Sequence, residues 1–277
     1  MKFFKEHPRR SMILGTYLAV FLLTWRFGVG IPATVLCLLA VSLVYMAVFH
    51  ADCAAVMANY HHIKGNTASA EKLYKFALAR KTKSPQAHIN YAIMLIRRGE
   101  AKEALPLLER AYALCAKPLM LKNLLLTKAS CNWALGDIDE AIAILEKMRK
   151  DYEYVNDRVL STLAFMYLKK GELDKADALS RKAIEDTPSA HAAWDNLGQI
   201  EYLRGDFSKA KEMFNKALEF KADLPDSLYY LGVIAKAENE TARASEYFNQ
   251  ALACEITALN TVTREQIEGE DSSLRSE

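Results

Sequence analysis

The chain has 277 residues, 51% of them hydrophobic, and a formal net charge of +2 from 36 Lys and Arg against 34 Asp and Glu. That near-balance excludes nucleic-acid binding as a main role, since basic runs such as Arg80-Lys81-Thr82-Lys83 do not recur as a stripe along the chain. Five cysteines, Cys37, Cys53, Cys115, Cys131 and Cys254, lie far apart in sequence, which suits buried reduced thiols better than a disulfide framework.

Residues 1–10 form a basic N-terminus carrying Lys2, Lys5, Arg9 and Arg10. Residues 11–49 read as a transmembrane helical hairpin, with apolar runs at about 11–27 and 30–49 separated by a turn containing Gly28, Gly30 and Pro32. The second run holds no charge from Ile31 to Phe49, and at about 1.5 Å per residue it is long enough for a bilayer core of about 30 Å. The first run is shorter and, with its basic start, also resembles a secretory leader, but its removal would leave the second run as an anchor. Basic flanks stay on the cytoplasmic side, so two spans would return the rest of the chain to the cytoplasm. The expectation is an integral membrane protein of the plasma (inner) membrane; a single span would instead place the remainder outside. No Pro or Gly separates Phe49 from Met57, so the second span is expected to continue into the next helix.

From residue 50 to residue 258 the pattern changes to repeated helix-turn-helix units. The clearest covers 191–224: Trp194, Leu197, Gly198 and Ile200 recur at helical spacing, Gly205-Asp206 interrupts, and Phe207, Ala210, Phe214, Ala217 and Leu218 resume the period. A step of about 34 residues reaches Leu231-Gly232, Asn239, Ala244, Phe248 and Ala251 on one side. On the other it reaches Leu163-Ala164, Tyr167, Gly171, Ala176 and Ala183. Weaker copies continue upstream, which makes about six units at 51–84, 85–121, 122–156, 157–190, 191–224 and 225–258. Small residues at matching positions, such as Ala58, Ala92, Ala129, Ala164, Gly198 and Gly232, are expected where paired helices nearly touch. Gly65, Gly99, Gly136, Gly171 and Gly205, with Asn239 in the last copy, are expected to close each first helix in the left-handed conformation.

This register resembles the tetratricopeptide-repeat family over roughly three quarters of the chain. The resemblance implies an all-α fold: a right-handed α-solenoid of about six helix-turn-helix repeats, here behind the N-terminal transmembrane hairpin. The unit beginning near Lys122 departs from the family pattern at Lys128, Asn132 and Met148, and the unit at Pro85 runs long around Lys117-Pro118, so looser packing is expected there. Residues 259–277 read as a C-terminal extension, largely disordered, because Glu268-Gly269-Glu270-Asp271-Ser272-Ser273 is polar and contains a helix breaker.

No residues converge on catalysis. The adjacent pair His61-His62 points about 100° apart on a helix and lacks ligands at metal spacing, while the acidic residues of Asp137-Ile138-Asp139-Glu140 suit a helix start. Phosphate-loop, dinucleotide, nucleophile-elbow and zinc patterns are missing, so no enzyme, cofactor, metal or small-molecule substrate is expected.

What the resemblance implies is a groove lined by first helices that takes a protein or peptide partner. By register its lining includes Asn59, Asn90, Ile93, Trp133 and Phe165 in the earlier units. In the last units it includes Asp195, Asn196, Gln199, Tyr202, Tyr229 and Tyr230, where amides and aromatics gather. Asn59 and Asn90 look similar to the Asn pair with which some relatives hold a C-terminal carboxylate, but Ala55, Asn123 and Thr127 stand where the basic partners belong. The function expected is a membrane-anchored scaffold that recruits a partner through the groove. The alternative is an accessory or assembly subunit of a membrane complex, bound through its transmembrane hairpin.

Overall fold

A computed structural model describes residues 8–48, 50–115, 118–151 and 156–274. Among them every regular element is a helix: α1 (Pro8–Arg26), α2 (Ile31–Val48), α3 (His50–Ile63), α4 (Thr67–Ala79), α5 (Pro85–Arg97), α6 (Ala101–Leu114), α7 (Pro118–Ala134) and α8 (Ile138–Asp151). These are followed by α9 (Asp157–Lys169), α10 (Leu173–Asp186), α11 (His191–Leu203), α12 (Phe207–Phe220), α13 (Pro225–Ala237), α14 (Thr241–Ala253) and α15 (Arg264–Leu274). The chain divides into two compact units, Met1–Ala87 and His88–Glu277.

In the first unit α1 and α2 occupy the two apolar runs and turn at Gly28, whose φ of +64° lies in the left-handed region. A hydrogen bond of 2.6 Å between the Tyr17 hydroxyl and Ser42 Oγ ties them. The expected pair of spans is not borne out: among the described residues no helix is long and apolar enough to cross a membrane. α1 carries Arg9 and Arg10 at its start and Arg26 at its end, which leaves only residues 11–25 of it uncharged. Lys2 and Lys5, and Phe49 at the expected junction of α2 with α3, lie outside the described residues. In the pair α3–α4, Tyr74 is fully buried and donates its hydroxyl to Asn59 Oδ1 at 2.9 Å. Asp52 then pins the chain leaving α4, accepting from the Thr82 hydroxyl at 2.6 Å and the Lys83 N–H at 3.0 Å.

The second unit is built from helix pairs. Each first helix ends at a residue with positive φ: +84° at Gly99 and Gly136, +80° at Gly171, +81° at Gly205 and +63° at Asn239. Asp137 and Asp206 follow two of these turns and cap the second helix, accepting from the N–H of Glu140 (3.1 Å) and Lys209 (3.0 Å). Inside the pairs the small residues meet large ones. A Cβ on Gly198 would fall 2.5 Å from the Phe214 ring, and one on Gly232 2.5 Å from Phe248, both rings being fully buried. Burying each phenylalanine contributes on the order of 1.5–3 kcal/mol. At the matching positions of earlier pairs stand Ala129 with Leu145 and Ala92 with Leu108, all fully buried.

Two expectations need correcting. Packing around α7 and α8 is not loose, since Leu124, Ala129, Cys131, Leu145 and Met148 are all buried. The irregular residue types instead leave one polar mismatch, Asn132 Nδ2, buried without a partner among the described residues. Lys128 is accommodated by turning outward to Glu109 Oε1 at 2.6 Å.

The C-terminal extension is ordered through Leu274. Thr263 and Gln266 form a reciprocal cap at the start of α15, the Gln266 N–H to Thr263 Oγ1 at 3.2 Å and the Thr263 N–H to Gln266 Oε1 at 2.8 Å. Ile267 and Leu274 are buried. The acidic run is consumed by contacts: Lys236 Nζ donates to Glu270 and to Ser273 Oγ, each at 2.7 Å, and the Ser245 hydroxyl donates to Asp271 at 2.8 Å. Residues 275–277 lie outside the described residues.

Candidate functional site

First helices of successive pairs pack side by side, α9 on α11 and α11 on α13, and form one face of the second unit. On this face a cavity of about 320 Å³ opens between α5, α7, α9 and α11. Its lining includes the apolar residues Ile93, Ile96, Leu126, Ala190 and Leu259. It also includes the polar and charged residues Thr127, Ser130, Asp157, Arg158, Ser161, Thr162 and His191. The hydroxyl of Ser161 is buried and has no partner among the described residues. Burial, with the charge of Lys221, holds the His191 pKa below the ordinary imidazole value, so the ring is neutral near pH 7. The volume lies at the lower end of the range usual for ligand pockets, about 300–1,000 Å³.

Beyond the cavity a polar chain crosses three first helices. Lys169 on α9 donates to Gln199 Oε1 at 3.1 Å, Gln199 donates to Asp195 Oδ2 at 2.8 Å, and Asp195 also accepts from the Ser227 hydroxyl on α13. Burial raises the Asp195 pKa from its ordinary 3.8 to about 7, and the nearby Asp226 carboxylate adds to the rise. Burial lowers that of Lys169, against the pull of Asp226 and Asp195. Tyr230 is pushed up to about 12, first by burial and then by Asp226 and Asp195.

The expected site residues divide by what they touch. Ile93 lines the cavity. Trp133 and Phe165 pack edge to face at 5.2 Å, half-buried against the core, with Lys169 Nζ 5.3 Å from the Phe165 centroid. Asn196 and Gln199 are buried; the Asn196 amide donates to the Ser161 carbonyl at 2.8 Å and Gln199 accepts from Lys169 at 3.1 Å, so both amides link neighbouring first helices. Tyr229 and Tyr230 face different neighbours. Tyr230 stacks on Phe214 at 5.5 Å and meets Tyr202 at 4.9 Å, whereas Tyr229 lies 6.1 Å from Phe248. Asn59 belongs to the first unit and Asn90 to the second.

Sequence reasoning missed Asp226. Its carboxylate accepts from four groups of the C-terminal segment: the Asn260 amide (2.6 Å), the Thr261 N–H (2.8 Å) and hydroxyl (2.6 Å), and the Val262 N–H (3.1 Å). The same segment reaches the far end of the face. The Ala258 N–H donates to the Arg97 carbonyl at 3.0 Å, and Arg97 pairs with Glu255 at 2.8 Å. The clue available in sequence was Asn260-Thr261-Val262-Thr263, an uncharged run between two helices.

None of the five cysteines is in a disulfide, and burial pushes Cys131 up to about 11 and also raises Cys254, which leaves both poorly reactive. Among the described residues no three His, Cys, Asp or Glu side chains gather as a metal site needs.

Comparison with known proteins agrees with this architecture. Tetratricopeptide-repeat models match residues 58–117, 123–200 and 191–224, which together cover more than half of the chain. No curated protein gives a significant match. Among solved structures, PilW, a type IV pilus biogenesis factor, is similar at 19% identity with a TM-score of 0.57, over 73% of this chain and 92% of its own. Pseudomonas aeruginosa pilF is similar at 17% identity and 0.55, over 82% and 96%. A thermophilic repeat protein of Thermus thermophilus, TTC0263, is similar at 18% and 0.57, over 70% and 100%. At these identities the likeness establishes the fold alone. The paired helices, the turn residues with positive φ, the small-against-large packing and the three matched segments place this chain in the tetratricopeptide-repeat family.

Proposed function

We propose that the protein is a membrane-attached scaffold that recruits a protein partner by binding a peptide segment on the face of first helices. The observation that carries this is the cavity between α5, α7, α9 and α11, whose lining combines apolar residues such as Ile93 and Leu126 with polar ones such as Arg158, Ser161 and His191. Such a site takes an apolar side chain and offers hydrogen bonds to a neighbouring peptide group. The place differs from the last two units, where Tyr202 and Tyr230 are engaged with each other and with Phe214. A photo-crosslinking residue at Thr162, on the cavity rim, should capture a partner in native cells, while one at Lys211 on a second helix should not. Equal capture at both positions would remove the groove from the proposal.

Membrane attachment rests on the N-terminal hairpin. Leu18, Phe21, Leu22, Leu23 and Trp25 on α1 and Val35, Leu36, Leu39, Leu43 and Val44 on α2 are all exposed. A continuous apolar surface of this kind requires lipid or an apolar partner to cover it. The basic N-terminal residues favour the repeats on the cytoplasmic face of the plasma membrane. Resistance to alkaline carbonate extraction tests the attachment, and protection of the repeats from protease in sealed cells tests the side. The same exposed helices support a second reading, an assembly subunit held by its hairpin to a partner's helices. Replacing residues 8–48 with an unrelated anchor preserves function on the first reading and abolishes it on the second.

A further inference from the structure

Residues 255–263 have no regular structure, yet they lie along the face on which the proposed partner peptide binds. One end is held at Arg97, whose carbonyl belongs to the last turn of α5 and so lacks a partner within its own helix. The other end is held at Asp226, in the first turn of α13. Between them a small turn forms, with Asn260 Oδ1 accepting the Thr257 N–H at 2.8 Å. That turn delivers Leu259 to the edge of the cavity.

The attachment is uneven. At Asp226 one carboxylate takes four hydrogen bonds, three of them to the backbone or side chain of Asn260 and Thr261. At Arg97 there is one backbone hydrogen bond and one exposed ion pair, of a class worth about 0–1 kcal/mol. Leu259 lines the cavity of about 320 Å³ together with residues of α5, α7, α9 and α11, so this part of the segment borders open space. Val262, by contrast, is buried. Ile256 packs against the same core of α13, α14 and α15 that buries Val262, so the segment is anchored at both ends, and between them residues 257–260 reach the far end of the face through the Ala258 contact to Arg97.

We propose that the middle of this segment, residues 257–261, forms a displaceable strap which lies over the peptide site in cis. The site beneath takes, from a partner, an extended peptide of the strap's own chemistry. That ligand has one apolar side chain for the cavity, followed by an amide and a hydroxyl residue whose N–H groups are read by Asp226. This rests on the reading that the groove binds peptide, and adds the class of peptide and the means by which access is controlled.

The probe is a fluorescent peptide with the sequence of residues 255–263, Glu-Ile-Thr-Ala-Leu-Asn-Thr-Val-Thr, titrated against the full chain in detergent. Binding should be weak to the native protein and at least tenfold tighter when the strap carries Leu259→Asp with Asn260→Ala. Adding Asp226→Ala should bring it back to the weak level. Circular dichroism verifies that each variant keeps its helicity. Equal binding to the native and strap variants, no binding to a folded strap variant, or indifference to Asp226→Ala each overturns the proposal. Should a variant unfold, hydrogen exchange on the native protein decides. The Ala258 amide should exchange through local opening, well before the amides of α14, and exchange only by global unfolding would make the strap a fixed element. Failure of the probe with crosslinking at Thr162 intact sinks the strap alone, whereas loss of that crosslink sinks the groove itself.

Discussion

Gly198 and Phe214 are a matched pair: a methyl group on the glycine would lie 2.5 Å from the ring of a phenylalanine that is fully buried. Gly198→Ala should therefore lower stability by about 1–3 kcal/mol, as overpacking of a rigid core does. The protein already contains the smaller solution, because Ala129 and Ala92 stand at the matching position opposite Leu145 and Leu108. Adding Phe214→Leu to Gly198→Ala should recover part of the loss in thermal melts. Strictly additive effects of the two substitutions would mean that they do not share this contact.

Asn196 illustrates a buried amide used as a fastener. Its side chain bonds to the Ser161 carbonyl across two first helices at 2.8 Å. Asn196→Ala should cost about 1–2 kcal/mol through the lost hydrogen bond, and partner capture by the folded variant should be unchanged. A variant as stable as the native protein but unable to capture its partner would instead put Asn196 at the interface.

The raised pKa of Asp195 makes stability depend on pH. The folded protein keeps a proton on this carboxyl up to about pH 7, while an unfolded chain loses it near the ordinary value of 3.8. The folded state binds more protons across that window, so this contribution is fully present below about 3.8 and is lost as pH rises through about 7. Asp195→Asn removes the titration. Melting temperatures measured from pH 5 to pH 8 should show the variant gaining on the native protein as pH rises, and parallel profiles would rule Asp195 out as the titrating group.

Thr263 and Gln266 hold the start of α15 by reciprocal hydrogen bonds. Thr263→Ala should destabilise that helix by about 1 kcal/mol and speed amide exchange in residues 264–274 more than in α14. Unchanged exchange there would show that the buried Ile267 and Leu274 hold α15 without its cap.

The repeat architecture was legible because its physical demands fall on single residue types. Only residues that tolerate positive φ close the first helices, and Gly65 through Gly205 and Asn239 mark those places; all six have positive φ. Alanine and glycine at matched positions announced close helix approach, although only the tertiary structure shows that the tightest approaches are to Phe214 and Phe248.

The order of the C-terminal segment was decided by tertiary structure. Glu270, Asp271 and Ser273 look like solvent-exposed residues of a free tail until Lys236 and Ser245 are brought beside them. The cap formed by Thr263 and Gln266 was readable as a local signal, but Gly269 argued against a helix and the burial of Ile267 outweighed it. Likewise Asn196 and Gln199 carry amides that suit either a ligand or a neighbouring helix, and residue type does not distinguish the two. By itself the sequence determined the helices, their turns and their pairing, because these depend on contacts within about 34 residues. The meeting of Arg97 with Ala258, and the strap it creates, required the stacked helices to bring together groups more than 150 residues apart. No local preference encodes that encounter.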